Sequence, residues 1–150
     1  MIEVRLQPEP FDAGAELARL DRLGGGGVAS FTGIVRGDDG LIELLLEHHP
    51  GMTSKMMRGL AQEAAERWNL LGVTIIHRHG ALRPGEPIVF VATAAQHRGA
   101  ALEACASLID RLKTQAPFWK REAFADGRSQ WVEARASDDM AAARWLRDEG

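Results

Sequence analysis

The chain has 150 residues, 45% hydrophobic and 26% charged, which is an ordinary composition for one globular domain. Its net charge of −3 argues against nucleic-acid binding by bulk attraction, and its single cysteine excludes an intrachain disulfide. The N-terminal sequence does not resemble a secretory signal, and no apolar run approaches the roughly 18 residues of a membrane span. We therefore expect one domain over residues 1–150, located in the cytoplasm, with no role for membrane or nucleic acid.

The first part of the chain predicts a strand, a short helix and a turn. Residues 2–7 alternate apolar and polar side chains, which indicates a strand. Asp12 is a suitable N-cap for the helix that follows. The four glycines at 24–27 lack the GK[ST] and G-x-G-x-x-G patterns of phosphate-binding loops, so they predict a flexible turn.

The next segment predicts a β-hairpin followed by a helix. Two apolar runs, 28–36 and 41–48, flank the sequence Gly-Asp-Asp-Gly at 37–40, which is a hairpin signal. Thr53 is predicted to cap a helix. The apolar positions of that helix have the three-to-four spacing of one buried face: Met56, Met57, Leu60, Ala64 and Trp68.

The remaining segments predict alternating strand pairs and helices. Two strands, 73–77 and 88–94, are followed by a long helix that Pro117 ends. A last hairpin, 118–124 with 131–134, precedes a helix that Ser137 caps and that contains Trp145. The order β-α-β-β-α-β-β-α-β-β-α predicts an α+β domain with antiparallel hairpins and a mixed sheet.

Lysines are rare in this chain, which has 15 Arg and three Lys. Lys113 and Lys120 lie on either side of Pro117, so the first ends a helix and the second follows a bend. Two cations that flank a bend can line one side of a pocket, where mutual repulsion and partial burial would lower at least one lysine pKa. A lysine of this kind can exchange protons. The alternative is that both lysines are solvated and that Phe118 and Trp119 belong to the core.

Several other residues are candidates for binding an anion. His97 and Arg98 begin the long helix, where a helix N-terminus attracts anions, although an exposed capping region explains them equally well. Arg36 and Arg135 each end a predicted strand, where an Arg can clamp an oxyanion or simply form a salt bridge. The histidines lack the spacing of a zinc site, and Cys105 lies on an apolar helix face, which is typical of a core residue.

Together, six segments resemble the large subunit of molybdopterin synthase, the MoaE family, in order and spacing. The most specific is LKTQAPFWKRE at 112–122. The others are FTGIVR (31–36), LEHHPGM (46–52), HRHGALRPGE (77–86), AQHRGAALEA (95–104) and WVEAR (131–135). Ile34, His49 and Gln115 depart from residues common in the family, without removing a candidate catalytic group.

The resemblance implies an α/β hammerhead-type fold and a homodimer. Each end of the dimer would bind a small ubiquitin-like sulfur carrier, MoaD-like, with a C-terminal Gly-Gly thiocarboxylate, giving a heterotetramer. The substrate would be cyclic pyranopterin monophosphate and the product a pterin dithiolene, formed through a monosulfurated intermediate. No metal or organic cofactor is implied for this sulfurtransferase step.

The resemblance also implies roles for individual residues. Lys113 and Lys120 match the family's two active-site lysines, and Phe31 and Glu122 match supporting positions. The substrate-binding positions, some of them contributed across the dimer, match Arg36, His97, Arg98 and Arg135.

Two other kinds of function fit the bare charges. One is a non-catalytic module that binds a phosphorylated small molecule. The other is a docking dimer for a ubiquitin-like protein. Neither predicts why two lysines bracket a Pro-Phe-Trp bend.

Overall fold

The structure is a computed structural model, and it describes residues 1–132 and Trp145. These residues form three helices, eight strands and a short 3-10 turn at Asp38–Gly40. In chain order the elements are β1 (Ile2–Gln7), α1 (Ala13–Asp21), β2 (Gly27–Ile34), β3 (Leu41–His48), α2 (Met52–Arg67), β4 (Gly72–Arg78), β5 (Gly80–Leu82), β6 (Pro87–Ala95), α3 (Arg98–Gln115), β7 (Phe118–Phe124) and β8 (Ser129–Val132).

The strands are divided between two four-stranded sheets. Sheet A has the order β1-β4-β6-β2, in which β1 and β4 are parallel and the other pairs are antiparallel. Sheet B has the order β5-β3-β7-β8 and is antiparallel throughout. The predicted α+β class with a mixed sheet is confirmed.

The helices cover both faces of sheet A. On one face, α2 and α3 bury Met57, Leu60 and Leu108 against Val73 and Val91. On the other face, α1 buries Leu20 against strand residues that include Ile76 and Phe90. Each fully buried aliphatic or aromatic side chain of this kind stabilises the fold by about 1.5–3 kcal/mol. Sheet A therefore lies between α1 and the pair α2 and α3, and α3 packs along it.

The predicted hairpin between residues 28–36 and 41–48 is wrong, although both strands exist. β2 pairs with β6 in sheet A, whereas β3 pairs with β5 and β7 in sheet B. The Gly-Asp-Asp-Gly sequence thus carries the chain from one sheet to the other. A local turn signal cannot distinguish this crossover from a hairpin, because the pairing partners of both strands lie later in the chain.

Two local predictions also need correction. The glycines at 24–27 are not a loose turn: Gly26 donates from its N–H to the Ala95 carbonyl (3.0 Å), and a Cβ at Gly26 would collide with the Gln96 carbonyl oxygen. Thr53 is not an N-cap, because α2 begins at Met52 after Gly51 and has no side-chain cap.

The C-terminal end of the chain is described only in part. β7 and β8 form the predicted last hairpin. Ser137 and the helix predicted after it lie outside the described residues, apart from Trp145. The Trp145 indole N–H donates to Asp110 Oδ2 (2.6 Å), and its carbonyl accepts from Arg67 (2.9 Å). Within residues 1–132, every helix is too short or too polar to cross a bilayer.

Candidate active site

The two candidate catalytic lysines lie on either side of a sharp bend. Lys113 is in the last turn of α3, and Lys120 is the third residue of β7; both side chains are exposed. α3 ends at Gln115, because Pro117 cannot continue a helix and restricts the residue before it to extended backbone. The sequence prediction of a helix end, a bend and a strand is confirmed.

A threonine hydroxyl holds this bend from the side. Thr53 Oγ1 donates to the Pro117 carbonyl (3.2 Å) and accepts from the His49 backbone N–H (3.0 Å). Within the bend, the Phe118 N–H donates to the Ala116 carbonyl (2.9 Å). The polar backbone groups on both sides of Pro117 are therefore satisfied.

The buried side chain of His77 packs against Phe118, the first residue of β7. The ring of His77 stacks on the ring of Phe118, with 3.8 Å between centroids and 19° between planes. Its Nδ1 lies 2.8 Å from the Arg78 carbonyl oxygen, which can only accept, so Nδ1 carries the proton. Burial is the main cause that lowers the pKa of His77 to about 4; the positive charge of Lys120 acts in the same direction, and the hydrogen bond to the Arg78 carbonyl opposes it. His77 is thus neutral at ordinary pH and lies near Lys120.

Two further histidines lie beside His77. The rings of His48 and His79 are 4.5 Å apart. Burial and then the neighbouring His48 lower the pKa of His79. Over the described residues, no group of three or more His, Cys, Asp or Glu side chains is arranged to hold a metal ion.

His97 and Arg98 lie at the opposite end of α3. His97 is the N-cap of α3 and Arg98 its first residue, and both are exposed. Fifteen residues of α-helix, at 1.5 Å each, place Arg98 roughly 22 Å from Lys113 along the helix axis. One copy of the chain therefore does not bring the lysines and the His97–Arg98 pair to the same place.

Arg36 lies toward the lysine end of sheet A. α3 runs back along β6, since Thr93 Oγ1 donates to the Ala101 carbonyl (2.7 Å) and the Cys105 thiol contacts the Val91 carbonyl (3.9 Å). β2 is also antiparallel to β6, so β2 and α3 end toward the same end of the sheet. Arg36 follows β2 by two residues, and its Nε contacts Asp38 Oδ2 at 3.3 Å with both side chains largely exposed. An exposed pair of this kind is weak and leaves the guanidinium available to another anion.

The supporting residues lie on the two sheets. Phe31 is on the edge strand β2 and is 37% exposed. Glu122 lies on β7 and accepts from Gln130 Nε2 at 3.3 Å. Arg135 lies outside the described residues. The structure therefore brings Lys113, Lys120 and Arg36 toward one end of sheet A and places His97 and Arg98 at the other end.

Cys105 is a core residue, in agreement with the sequence interpretation. Its side chain is 5% exposed, and burial raises the pKa of its thiol to about 11. The thiolate is the reactive form of cysteine, so this residue is a poor nucleophile at neutral pH.

Sequence reasoning missed Thr53 and His77 as parts of this region. Thr53 was predicted to be a helix cap, and the histidines were considered as zinc ligands, for which their spacing is unsuitable. Both residues contact the bend only through the fold, because β4 and α2 precede it by a long stretch of chain. The one signal in the sequence was that His77 begins a segment that resembles the MoaE family (77–86), whereas Thr53 directly follows another such segment, which ends at residue 52.

The sequence and the fold match one class of proteins. The family model described as MoaE protein matches residues 6–115, which include Lys113 and end before Lys120. The chain belongs to the MoaE family.

Relatives that match nearly the whole chain belong to the same family. A protein of Mesorhizobium japonicum named molybdopterin synthase catalytic subunit is 50% identical over 146 residues, covering 95% of this chain and 92% of that protein. The solved structure of a molybdopterin biosynthesis MoaE protein from Burkholderia ambifaria is 46% identical, with a TM-score of 0.82 over 97% of this chain and 98% of that one.

A more distant structure shares the fold. It is 18% identical, has a TM-score of 0.71 and covers 90% of each chain. It is described as a protein–protein complex of subunits 1 and 2 of molybdopterin-converting factor from Helicobacter pylori.

Proposed function

We propose that this chain is the catalytic subunit of a molybdopterin synthase. It would transfer sulfur from the C-terminal thiocarboxylate of a small ubiquitin-like carrier to cyclic pyranopterin monophosphate. The observation that carries this proposal is the pair Lys113 and Lys120, exposed on either side of the Pro117 bend in a chain of the MoaE family.

The length of α3 supports a site built from two copies of the chain. Lys113 and Arg98 are at opposite ends of a helix of roughly 27 Å. If two copies associate so that the α3 N-terminus of one meets the α3 C-terminus of the other, each end of the dimer gains both clusters. A symmetric dimer forms two such sites at once. We therefore propose that His97 and Arg98 act in trans, with a carrier at each end of the dimer.

The substrate is proposed to bind through its phosphate. Arg36, His97, Arg98 and Arg135 would hold this group by charge-assisted hydrogen bonds. The N-terminus of α3 at His97 also favours a bound anion, because the helix dipole and the unpaired N–H groups of the first turn place partial positive charge there. The phosphate would thus be anchored at one side of the site and the reacting carbons would lie toward the lysines.

The lysines are proposed to act on the reacting atoms. Lys113 would pair with the anionic thiocarboxylate and steer its sulfur to the substrate. Lys120 would serve as the acid or base while a carbon–sulfur bond forms in place of a carbon–oxygen bond of the substrate, whose oxygen leaves with a proton. Water then cleaves the acyl–sulfur bond, so the sulfur stays on the pterin and the carrier leaves as a carboxylate. Two carriers are needed for each dithiolene.

The nucleophile is supplied by the partner in this scheme. The thiocarboxylate sulfur attacks, so the chain needs no reactive cysteine, in keeping with the buried position of Cys105. The H. pylori complex of two subunits, which shares the fold, supports a small-subunit partner. The cytoplasmic location expected from the sequence stays a prediction.

Mass spectrometry tests the proposal directly. The full chain is incubated with cyclic pyranopterin monophosphate and a carrier that ends in a Gly-Gly thiocarboxylate. We expect the pterin to gain two sulfur atoms, and the same carrier with a carboxylate end to give none. A pterin that binds without gaining sulfur would instead indicate a non-catalytic module.

A further inference from the structure

We propose that Thr53 and His77 are positioning residues that fix the bend at residues 116–118 and thereby set how Lys113 and Lys120 are held relative to each other. This inference rests on the proposed function, in which both lysines act during sulfur transfer. Neither residue is proposed to touch the substrate or the carrier.

The Thr53 hydroxyl joins three segments at one point. It is the second residue of α2 and has an exposed fraction of 0%. A hydroxyl has one proton to donate and two lone pairs to accept with, so it can bond to the Pro117 carbonyl and the His49 N–H together. The end of β3, the start of α2 and the bend are therefore tied to one buried oxygen atom.

The bend depends on the hydrogen bond from Thr53 because it contains Pro117. Proline has no N–H, so the carbonyl is the backbone polar group by which Pro117 can be anchored. In the structure that carbonyl accepts from Thr53. Without the hydroxyl, the partly buried carbonyl would have to find another donor, and the bend would shift.

His77 fixes the other side of the bend. Its ring, 8% exposed, lies under Phe118, which is the first residue of β7 and precedes Lys120 by two positions. The hydrogen bond from Nδ1 to the Arg78 carbonyl sets the plane of the His77 ring. Since the ring is neutral at ordinary pH, it packs against Phe118 without adding charge beside Lys120.

The structure argues against a simple capping role for Thr53. α2 has Gly51 as its N-cap, and the Thr53 hydroxyl bonds to His49, which follows β3, and to Pro117 in the bend. A cap would stabilise α2 alone, whereas this hydroxyl reaches across to the segment that separates the two lysines.

The main test compares Thr53→Val with Thr53→Ser. Valine keeps the shape of threonine and loses the hydroxyl, whereas serine keeps the hydroxyl and loses a methyl group. Cys105→Ala is the control, because it removes buried volume from the core beside α3 at a position roughly three helical turns before α3 ends at Gln115. For each full-length variant, kcat and KM for substrate and carrier are measured in the sulfur-transfer assay, together with stability.

A positioning role predicts a selective loss of kcat. A displacement on the order of 1 Å can cost up to about 100-fold in rate, so Thr53→Val is expected to lower kcat by about 10-fold to 100-fold with KM nearly unchanged. Thr53→Ser is expected to stay within about twofold of the parent, and Cys105→Ala to lose stability while keeping kcat. If Thr53→Val loses stability but keeps the parent's kcat, the inference is wrong.

A second readout does not depend on activity. The chain has three lysines, so a sample labelled with ¹³C at the lysine ε-carbon gives three signals. We expect Thr53→Val to move the signals of Lys113 and Lys120, and Cys105→Ala to leave them in place. His77→Leu removes the ring stack and should move the same two signals, which provides a second route if Thr53→Val does not fold.

The two readouts separate the two proposals. If the parent transfers no sulfur but the lysine signals respond as described, the proposed function fails and the positioning role stands. If the parent is active and neither kcat nor the lysine signals respond to Thr53→Val and His77→Leu, the positioning role fails alone.

Discussion

His77 and Phe118 join the two sheets beside the candidate acid–base lysine. His77 belongs to β4 of sheet A and Phe118 to β7 of sheet B, and their rings stack with 3.8 Å between centroids. The ionisable imidazole of His77 is therefore buried close to Lys120. Stability and site geometry are therefore coupled to the protonation of one histidine.

This coupling predicts that the fold weakens in mild acid. Burial lowers the pKa of His77 from 6.5 to about 4 in the folded protein, so between these values the unfolded chain binds more protons. The stability due to the neutral ring is complete above pH 6.5 and is lost as the pH falls toward 4. Between pH 7 and pH 4.5 this one group should cost about 2–3 kcal/mol, measured by chemical denaturation.

His77→Phe is the control for the acid sensitivity. It keeps an aromatic ring against Phe118 and removes the ionisable group. The variant should lose less stability than the parent over the same pH range, with carboxylates and other histidines contributing equally to both. Identical pH profiles would mean that His77 does not titrate as its burial predicts.

Lys120 gives the sharpest test of chemistry. Lys120→Ala should lower sulfur transfer by about 100-fold or more, because a positioned acid or base contributes at least that much, and its unfolding transition should stay close to the parent's. Lys120→Arg keeps the charge but cannot exchange a proton near neutral pH. Arginine should therefore fail to restore the rate.

Lys55 supplies the matched control for Lys120. It is exposed on α2 and has no proposed role in the reaction. Lys55→Ala should keep the parent's kcat. Recovery of activity in Lys120→Arg would show that Lys120 acts through its charge, and near-normal turnover of Lys120→Ala would remove it from the mechanism.

Local sequence patterns predicted where most helices and strands lie, but not which strands pair with each other. The Asp12 cap is confirmed by its bond from the Ala15 N–H (3.2 Å), and Pro117 ends α3 within two residues of Lys113. These features depend on interactions between residues close in sequence. The assignment of β2 and β3 to different sheets depends on β6 and β7, which no local signal near residues 37–40 can encode.

The candidate site was predictable to a similar extent. The lysine pair and the candidate anion-binding residues were nominated from sequence and stay predictions, whereas the separation of Arg98 from Lys113 follows from the length and direction of α3. The contacts of Thr53 and His77 with the bend required the packing of α2 and β4. Nothing in the spacing of these residues distinguishes a buried contact from an ordinary cap or core side chain.

Gly26 and Gly59 differ in the space around them, and Gly26 packs against Gln96, the residue before His97. A Cβ at Gly26 would collide with the Gln96 carbonyl, whereas nothing lies within 4 Å of a Cβ at Gly59 in α2. Gly26→Ala should therefore destabilise the fold by about 1–3 kcal/mol through overpacking. Gly59→Ala should stabilise it by about 0.5–1 kcal/mol, because alanine restricts the unfolded chain and favours a helix.

Chemical denaturation of both variants checks these signs. If Gly26→Ala matched the parent in stability, residues 24–27 would be the loose turn that the sequence predicted. The gain at Gly59 serves as the internal standard, since it depends on helix propensity and not on any contact with the site.

A mixed dimer decides whether Arg98 acts across the dimer interface. Arg98→Ala and Lys120→Ala should each be nearly inactive alone, because each removes one cluster from both sites. If the clusters meet in trans, a mixed dimer has one site that lacks both residues and one site that is intact. Mixing the two variants in equal amounts, with exchange of subunits, should therefore restore about a quarter of the parent's activity, since half of the dimers are mixed.

The same experiment gives a different result if the clusters act within one copy of the chain. In that case every site of the mixed dimer lacks one residue, and mixing restores nothing. The roughly 22 Å between Arg98 and Lys113 along α3 favours restoration, because one chain cannot bend this helix to bring its own ends together without breaking its hydrogen bonds. Sulfur transfer measured before and after subunit exchange, with native mass spectrometry to count mixed dimers, distinguishes the two arrangements.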